Sequence, residues 1–418
     1  MATNRSTSGS EAAERELRRR ASIIEGDRML WIIFTVLLIL SILVVYSSTA
    51  KMAYDISSDM STTDSLRQQM ILVLMAIPTI FVVHKIDYKW YRRFTPTLYW
   101  LFVILTIATY FIGSTTNGAA RWIALGPIQF QPSEGLKIMT ILMLALRMDS
   151  RQSNIHNTLL LPTSWHLRDS KQRQIIKENT IPILGPVILS CLVILPAHTS
   201  SVVLIFIAST IMLYIARVRI REILKFTMLT LAGGVMLIML MSAVGMGRGD
   251  TAGGRFSAWV EEWTGDGTVD AVYKLSDTQR AMIAIHKGGM LGEGAGQSTA
   301  RAIVVHPESD FAYAFFVSEY GLIIALILMM LYLWIFFRSI EIFRRCNTVF
   351  PALMTLGLGL LITCQALLHI LVQTHIIPET GQTLPLISRG GTSLLITTIA
   401  MGMMLSVSRT NKHNTLQQ

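Results

Sequence analysis

Long apolar runs separated by polar segments dominate the chain. Ten of these runs approach the ~20 residues that a helix needs to cross the hydrocarbon core of a bilayer. They lie at residues 29–48, 69–86, 95–113, 133–149, 179–197, 200–217, 223–246, 311–338, 349–376 and 384–407. The pattern predicts an all-α polytopic membrane protein with about ten transmembrane helices and one long loop.

The long loop covers residues 247–310 and contains many charges, several glycines and two tryptophans. Loops of this length with aromatic and charged residues of their own are usually functional or disordered. Alternation of the spans puts this loop on the side opposite both termini. We therefore expect an N-terminal tail at 1–28, a membrane domain at 29–407 that includes a large extracytoplasmic loop, and a C-terminal tail at 408–418.

Basic residues are concentrated on one side of the predicted membrane domain. They occur in ELRRRASIIEGDR before the first span and in HKIDYKWYRR, residues 147–177, ARVRIREILK and FRSIEIFRR between later spans. An excess of Lys and Arg is typical of cytoplasmic loops, so we expect both termini in the cytoplasm. Topology thus accounts for the net charge of +10 better than nucleic-acid binding does. The composition, 52% hydrophobic and 15% charged, agrees with a membrane protein.

The loop between the third and fourth spans reads NGAARWIALGPIQFQPSEGLK, residues 117–137. Pro132, Ser133 and Glu134 resemble a helix start, and Lys137 then lies one turn inside the span. A lysine is costly in hydrocarbon, so it should face the bundle interior or water. It either pairs with Glu134 to fix the start of the helix or supplies a cation for an anionic ligand.

The long loop ends in HKGGMLGEGAGQSTARAIVVHPESDF. Its glycines allow close backbone approach, but no GKS or GKT follows, so a phosphate-binding P-loop is not supported. Asp310 stands at the edge of the next apolar run, where it is either a general base or an ordinary helix N-cap. Glu319 lies deeper in the same run, and we interpret it as the structural partner of a buried cation such as Lys137.

The last span is preceded by PETGQTLPLISRGGTSLL, residues 378–395. Gly390 and Gly391 interrupt the helix early, and irregular backbone at membrane depth requires burial in protein or a wet cavity. Arg389 could bind an anion there, although small residues also serve simple helix packing. His198 and His369 are interpreted as hydrogen-bonded packing residues. No pair of His or Cys has metal-site spacing, so no metal ligands are predicted.

Four of these blocks, in order, resemble the SEDS family of polytopic cell-wall polymerases that includes FtsW and RodA. DRMLWIIFTVLLILSILVVYSSTA resembles the family's first span, and the 117–137 block resembles its KGA-RWI-G-QPSE-K block. The glycine-rich run with its SDF triplet and LPLISRGGTS, similar to LPLISYGGSS, complete the set. The similarity covers nearly the whole chain, from Asp27 to Met404.

The resemblance implies a peptidoglycan glycosyltransferase that polymerises lipid II outside the cytoplasmic membrane, beside a class B penicillin-binding protein. The aspartate of the family's DF triplet is regarded as catalytic, and it falls on Asp310. The 4-hydroxyl of lipid II would attack a glycan strand carried on undecaprenyl pyrophosphate. The charged N-terminal tail favours the division-associated FtsW type, which implies a place at the septum of the inner membrane with other division proteins.

The leaving pyrophosphate needs positive charge nearby. The candidates, in order of preference, are Arg121, Lys137, Arg255 and Lys287. Further candidates for substrate binding are Glu134, Gln279, Ser388 and Arg389. A divalent cation, Mg or Mn, could share the task, although the sequence offers no dedicated site. The alternatives are a lipid II flippase and a non-catalytic division scaffold.

Three positions depart from the family's pattern. His198 stands where the QPD motif has its aspartate, His369 where the ninth span usually has asparagine, and Arg389 where SYGG has tyrosine. These departures leave Asp310 untouched. A role of the QPD carboxylate in the family is therefore not carried over to His198.

Overall fold

The computed structural model describes residues 25–49, 62–116, 119–125, 128–157, 174–243, 254, 259–260, 264 and 276–417. Within these residues, ten helices of 14 residues or more lie at the ten predicted spans. They are α1 Arg28–Thr49, α2 Thr62–Val83, α3 Tyr88–Ile112, α4 Pro132–Asp149, α5 Ile181–Ile194, α6 Thr199–Ile215, α7 Ile220–Ala243, α10 Ala312–Arg344, α11 Val349–Gln373 and α12 Thr392–Gln417. Between α7 and α10 lie α8 Asp277–Gly288 and the short α9 Ala300–Ile303. The predicted all-α polytopic class is confirmed.

Seven helices in the described part of the chain have both the length and the apolar composition of a membrane span: α1, α2, α3, α5 (with the π-helical turn Ile176–Thr180 before it), α10, α11 and α12. Helix α4 is not among them because it carries Glu134, Lys137, Arg147 and Asp149. Helix α6 is apolar but has only 17 residues.

The helix ends differ from the predicted span edges. Helix α10 continues past residue 338 to Arg344, because the backbone hydrogen-bond ladder extends into polar sequence that hydropathy assigns to a loop. Helix α12 begins at Thr392 rather than at 384, and it continues past 407 to Gln417. Residues 244–246 of the seventh predicted span and residues 1–24 of the tail lie outside the described residues.

A small antiparallel sheet follows α3 and was not predicted. Its strands are β1 Ser114–Thr116, β2 Ala119–Leu125 and β3 Ile128–Phe130, in the order β1-β2-β3. Ser114 pairs with Trp122, and Ile123 pairs with Phe130. β3 ends at Phe130 and α4 begins at Pro132, so the sheet fixes the position of the helix start that carries Glu134 and Lys137.

Helices α4 and α11 form the centre of the bundle. Helix α4 packs against α3, α5 and α11, and α11 packs against α10, α6 and α12 as well. Nearly every residue of both helices is buried. A helix that is apolar around its whole circumference belongs in the interior, so the few polar side chains on these two helices face other protein groups rather than lipid.

Candidate active site

Asp310 lies in the connection between the long loop and α10 and is half-buried. The connection turns tightly there, with the main chain of Ser309 donating to the carbonyl of His306 at 3.1 Å. Helix α10 begins at Ala312 and has Phe311 at its N-cap, without a side-chain capping hydrogen bond. The N-cap interpretation of Asp310 is therefore wrong.

Two distant segments hold the main chain around Asp310. The Ser388 hydroxyl donates to the carbonyl of Ser309 at 2.7 Å, and the Arg389 main-chain N–H donates to the carbonyl of Glu308 at 2.7 Å. The Gln373 amide of α11 donates to the carbonyl of Asp310 itself at 3.1 Å. The structure thus brings the SDF and LPLISRGG motifs, some 80 residues apart in the chain, into direct contact.

The segment from Leu384 to Gly391 is irregular and largely buried. Its polar main-chain groups are satisfied from three directions. Ser388 Oγ accepts from the Leu384 N–H at 2.9 Å, Ser41 Oγ donates to the Ile387 carbonyl at 3.0 Å, and Tyr332 Oη donates to the Pro385 carbonyl at 2.6 Å. Burial in protein is the condition under which such backbone is tolerated at membrane depth, and it makes this segment a firm support for Asp310.

Lys137 and Glu134 form a buried ion pair at the start of α4. Lys137 Nζ lies 2.8 Å from Glu134 Oε1, and Lys137 is only 1% exposed. The same ammonium donates to Gln365 Oε1 at 3.2 Å and to Gln382 Oε1 at 3.5 Å. Three partners therefore satisfy Lys137, as its burial requires.

Glu319 has a different cation from the one predicted. Its Oε1 lies 3.0 Å from Arg301 Nη2, and it accepts from the Gly296 N–H at 3.0 Å and from the Ser47 hydroxyl. The pairing of Glu319 with Lys137 is therefore wrong, although its role as the structural partner of a cation stands. Arg301 reaches it because α9 folds back onto α10 at this point.

Buried amides and imidazoles link the ion pair to Asp310. His369 Nδ1 lies 2.7 Å from the Gln382 carbonyl, and His369 Nε2 contacts the Gln373 amide, which donates to the Asp310 carbonyl. Lys137, through its contact with Gln382, is thus the far end of a continuous polar path.

His198 contacts the residue before α4, with its Nε2 2.6 Å from Gln131 Nε2. Both histidines make the hydrogen-bonded packing contacts that were predicted for them. Gln131 stands immediately before α4, so His198 also helps to fix the start of that helix.

His306 and Glu308 form a second acid–base pair beside Asp310. His306 Nδ1 lies 3.8 Å from Glu308 Oε1. Glu308, with smaller contributions from the charges of Asp310 and Asp277, raises the pKa of His306. Burial acts to raise the pKa of Glu308, but the contact with His306 and the positive charge of Arg389 outweigh it and lower that pKa. Both pKa shifts therefore favour the charged form of the group concerned.

Three other predicted site residues have described contacts. Arg389 is half-buried next to the Asp310 segment, and its Nη2 donates to Gln68 Oε1 at 2.7 Å. Gln279 uses its side chain in a capping box with Ser276 at the start of α8, and Lys287 is exposed with its Nζ 3.4 Å from Thr299 Oγ1.

Two predicted cations cannot be compared with the rest. Arg121 belongs to β2, but its side chain is not among the described ones, and Arg255 lies outside the described residues. In the described part of the chain, no group of three or more His, Cys, Asp or Glu side chains has a metal-site arrangement. The divalent cation considered from the sequence, Mg or Mn, therefore has no residue assignment.

Sequence reasoning missed the glutamines that complete the site. Gln365, His369 and Gln373 are spaced four residues apart on α11, so they lie along one face of the helix. A polar stripe at that spacing within an apolar span is the signal that could have revealed them. Arg301 gave no comparable signal, since nothing in its local sequence predicts a contact with Glu319.

The comparisons with known proteins agree with this arrangement. A family model described as cell cycle protein, FtsW/RodA/SpoVE, matches residues 27–413. The chain belongs to this family. It is therefore a polytopic inner-membrane protein of the SEDS class.

Two relatives illustrate the range of names in the family. The chain is 26% identical to stage V sporulation protein E of Bacillus subtilis over 396 residues, covering 93% of this chain and 98% of that protein. It is 28% identical to a probable peptidoglycan glycosyltransferase FtsW of Coxiella burnetii over 401 residues, with 93% and 98% covered.

Two solved structures have the same fold. RodA of Thermus thermophilus, a rod shape determining protein, matches with a TM-score of 0.58 at 19% identity, covering 92% of this chain and 97% of that one. A chain from a peptidoglycan synthase complex, described as structural coordination of polymerization and crosslinking, matches with a TM-score of 0.61 at 18% identity. The match covers 92% of this chain and 98% of that one. These matches show the fold over 92% of this chain.

Proposed function

We propose that the protein is a peptidoglycan glycosyltransferase that polymerises lipid II into glycan strands for septal wall synthesis. The observation that carries this proposal is the position of Asp310. A half-buried carboxylate, at the junction of the long loop and the bundle, is fixed by hydrogen bonds to its own and its neighbours' main chain. Relatives named as probable peptidoglycan glycosyltransferases support the same activity.

Asp310 would act as the general base. Its carboxylate takes the proton of the lipid II 4-hydroxyl while that oxygen attacks the anomeric carbon of the donor strand. The bond from the anomeric carbon to the pyrophosphate oxygen breaks, and undecaprenyl pyrophosphate leaves with the bonding electrons. No nucleotide is needed, because the pyrophosphate linkage is already activated.

The leaving pyrophosphate requires a cation that it can reach. Lys137 is a poor choice, since it is buried and paired with Glu134. Arg389 is the better one among the described residues, because its main chain binds the Asp310 segment and its guanidinium is partly exposed. We assign the pyrophosphate first to Arg389, and Lys287, which is exposed on α8, stays a further candidate. Arg121 and Arg255 stay candidates from the sequence.

The proposed partner is a class B penicillin-binding protein. The structural similarity to a chain of a peptidoglycan synthase complex supports this choice. The FtsW type, with other division proteins at the septum and both termini in the cytoplasm, is favoured by relatives of that name. A fluorescent fusion that labels the lateral wall rather than the septum would favour the elongation-associated type instead.

A flippase is the second candidate, and the buried polar path from Lys137 to Asp310 is the observation that favours it. Reconstitution in liposomes separates the two activities. Purified protein is supplied with lipid II, with and without the penicillin-binding protein, and glycan strands and transbilayer movement of lipid II are both measured. Strand formation supports the polymerase, and movement without strands supports the flippase. The absence of both activities supports the scaffold.

A further inference from the structure

Helix α10 has two parts with different surroundings. From Ala312 to Glu319 every residue is buried in protein. Gly321 then adopts a non-helical conformation with φ 80° and ψ 169°, and the chain continues as a helix. Beyond it, large apolar side chains are exposed on one side of the helix: Leu322, Ile323, Ile324, Leu326, Ile327, Met330, Trp334 and Phe337. Exposed apolar surface on a spanning helix is where contact with lipid is expected, and this face is called the lipid-facing part of α10.

The lipid-facing part of α10 is too short to cross the hydrocarbon alone. From Leu322 to Phe337 the helix rises roughly 23 Å at 1.5 Å per residue, while the hydrocarbon core is about 30 Å thick. It does not extend beyond Phe337, because Arg338, Glu341 and Arg345 follow and join in ion pairs. Some 7 Å of hydrocarbon therefore remain to be covered at the Leu322 end.

The glycine-rich turn between α8 and α9, residues 289–299, lies at the Leu322 end of the lipid-facing part. The Leu322 N–H donates to the Gly289 carbonyl at 3.0 Å, and the Glu293 N–H donates to the Ser318 carbonyl at 2.9 Å. A Cβ on Gly292 would lie 2.2 Å from the Glu319 carbonyl oxygen, so only glycine permits this contact. The turn thus covers the buried part of α10, and there the turn rather than α10 forms the protein surface.

The tip of this turn presents two large apolar side chains outward. Met290 is 65% exposed and Leu291 is 82% exposed. Met290 also joins the turn to the lipid-facing helix, since its carbonyl accepts from the Ile323 N–H at 3.4 Å. The exposed Lys287 precedes the tip and the exposed Gln297 follows it, so the apolar surface is flanked by polar groups on both sides.

We propose that Met290 and Leu291 insert into the acyl chains of the leaflet at this end of α10, the outer leaflet in the predicted orientation. They complete the lipid-facing surface that begins at Phe337. The turn is bound to α10 through main-chain hydrogen bonds, so its insertion fixes the depth at which α8 and the start of α10 stand in the membrane. This role is independent of the chemistry proposed for Asp310.

The test measures the depth of the tip in liposomes. A variant with the three native cysteines replaced carries Leu291→Cys, labelled with an environment-sensitive fluorophore, in the full-length protein. Gln297→Cys is the matched control, because it is exposed in the same loop but outside the apolar tip. Quenching is measured with a nitroxide on the lipid acyl chain and with aqueous iodide. Met290→Cys repeats the measurement in case the Leu291 variant does not fold.

Lipid insertion predicts that acyl-chain quenching, relative to iodide quenching, is about twofold or more stronger at 291 or 290 than at 297. Iodide quenching at the tip that equals or exceeds that at Gln297 would overturn the proposal. It would mean that the tip is open to water in the isolated protein and that its apolar surface is reserved for a partner protein.

Discussion

At the scale of single residues, Asp310 is positioned by main-chain contacts on three sides. Ser388, Arg389 and Gln373 all bind main-chain carbonyl groups of residues 308–310. Such contacts fix where the acid stands while its carboxylate moves a proton, which is what a general base requires. A substitution at Gln373 or Ser388 should therefore disturb catalysis through the position of Asp310.

The buried pair of Glu134 and Lys137 makes a prediction for stability. Lys137→Met leaves the Glu134 charge buried without its main cation, which should cost about 3–5 kcal/mol in the free energy of unfolding. Glu134→Gln combined with Lys137→Met removes both charges and should recover most of that loss. Thermal unfolding of the two variants in detergent checks this. Equal unfolding midpoints for the single and double variants would contradict the ion-pair account.

His306 and Glu308 predict a weak pH dependence of stability. The raised pKa of His306 means that its contribution is fully present below the unfolded value of 6.5 and is lost as the pH rises through the folded pKa. The lowered pKa of Glu308 means that its contribution is present above 4.5 and is lost as the pH falls through its folded pKa. The ion pair therefore stabilises the protein between those two folded values.

The corresponding variant is His306→Gln. It should lower the unfolding midpoint at about pH 6 but not at about pH 9, where the parent histidine is neutral. The effect should be small, since the His306 side chain is largely exposed and water screens the pair. His286→Gln, at an exposed histidine of α8, is the control. An equal loss at both pH values would indicate that His306 acts through packing instead.

Local spacing explains which residue contacts were predictable. Glu134 and Lys137 are three residues apart on α4, so a helix start at Pro132 already brings them together. Glu319 and Arg301 are 18 residues apart and meet only because α9 folds back. The N-cap alternative for Asp310 failed because α10 begins two residues later, a boundary that propensity does not resolve.

At the scale of elements, the glycine-rich turn and the α10 kink fit each other. Gly292 faces the Glu319 carbonyl, and a Cβ on Gly321 would lie 2.3 Å from the Met290 carbonyl oxygen. Both glycines have φ near 80°, which L side chains rarely adopt. The glycine-rich run therefore allows two backbone segments to pack closely. This contact accounts for its glycines without a phosphate site.

This fit predicts different effects for two alanine substitutions. Gly292→Ala meets both the positive φ and the clash with Glu319, whereas Gly289→Ala has a positive φ but nothing within 4 Å of its Cβ. Gly292→Ala should therefore destabilise the protein by about 1–3 kcal/mol more than Gly289→Ala. Unfolding midpoints of the two variants measure the difference. Indistinguishable midpoints would show that the turn does not pack closely on α10.

Hydropathy predicted where the helices lie but not how the chain runs between them. The ten apolar runs all correspond to helices, since burying a spanning segment leaves few alternatives to a helix. The sheet at 114–130 was not predicted, because its three short strands show little alternation of apolar and polar residues. Gly390 and Gly391 did signal the break before α12, yet the buried segment from Leu384 onward could be recognised only from its contacts with Ser41 and Tyr332.

At the scale of the whole molecule, the orientation in the membrane is a prediction from charge. Five basic segments share one side, and the long loop with Asp310 lies on the other. A C-terminal fusion should make a fluorescent protein bright and alkaline phosphatase inactive, because phosphatase folds only outside the cytoplasm. A phosphatase fused after residue 260 should be active. The reverse pattern would put Asp310 on the cytoplasmic side and remove it from wall synthesis.

The most direct test of the account is lipid II polymerisation by Asp310→Asn, with the penicillin-binding protein present. Glu308→Gln is the matched control, since it removes a carboxylate two residues away that binds His306. We predict that Asp310→Asn loses activity by about 100-fold or more, as expected for loss of a general base, and that Glu308→Gln retains most of it. Glycan strands formed by a folded Asp310→Asn protein at the parental rate would contradict the central claim.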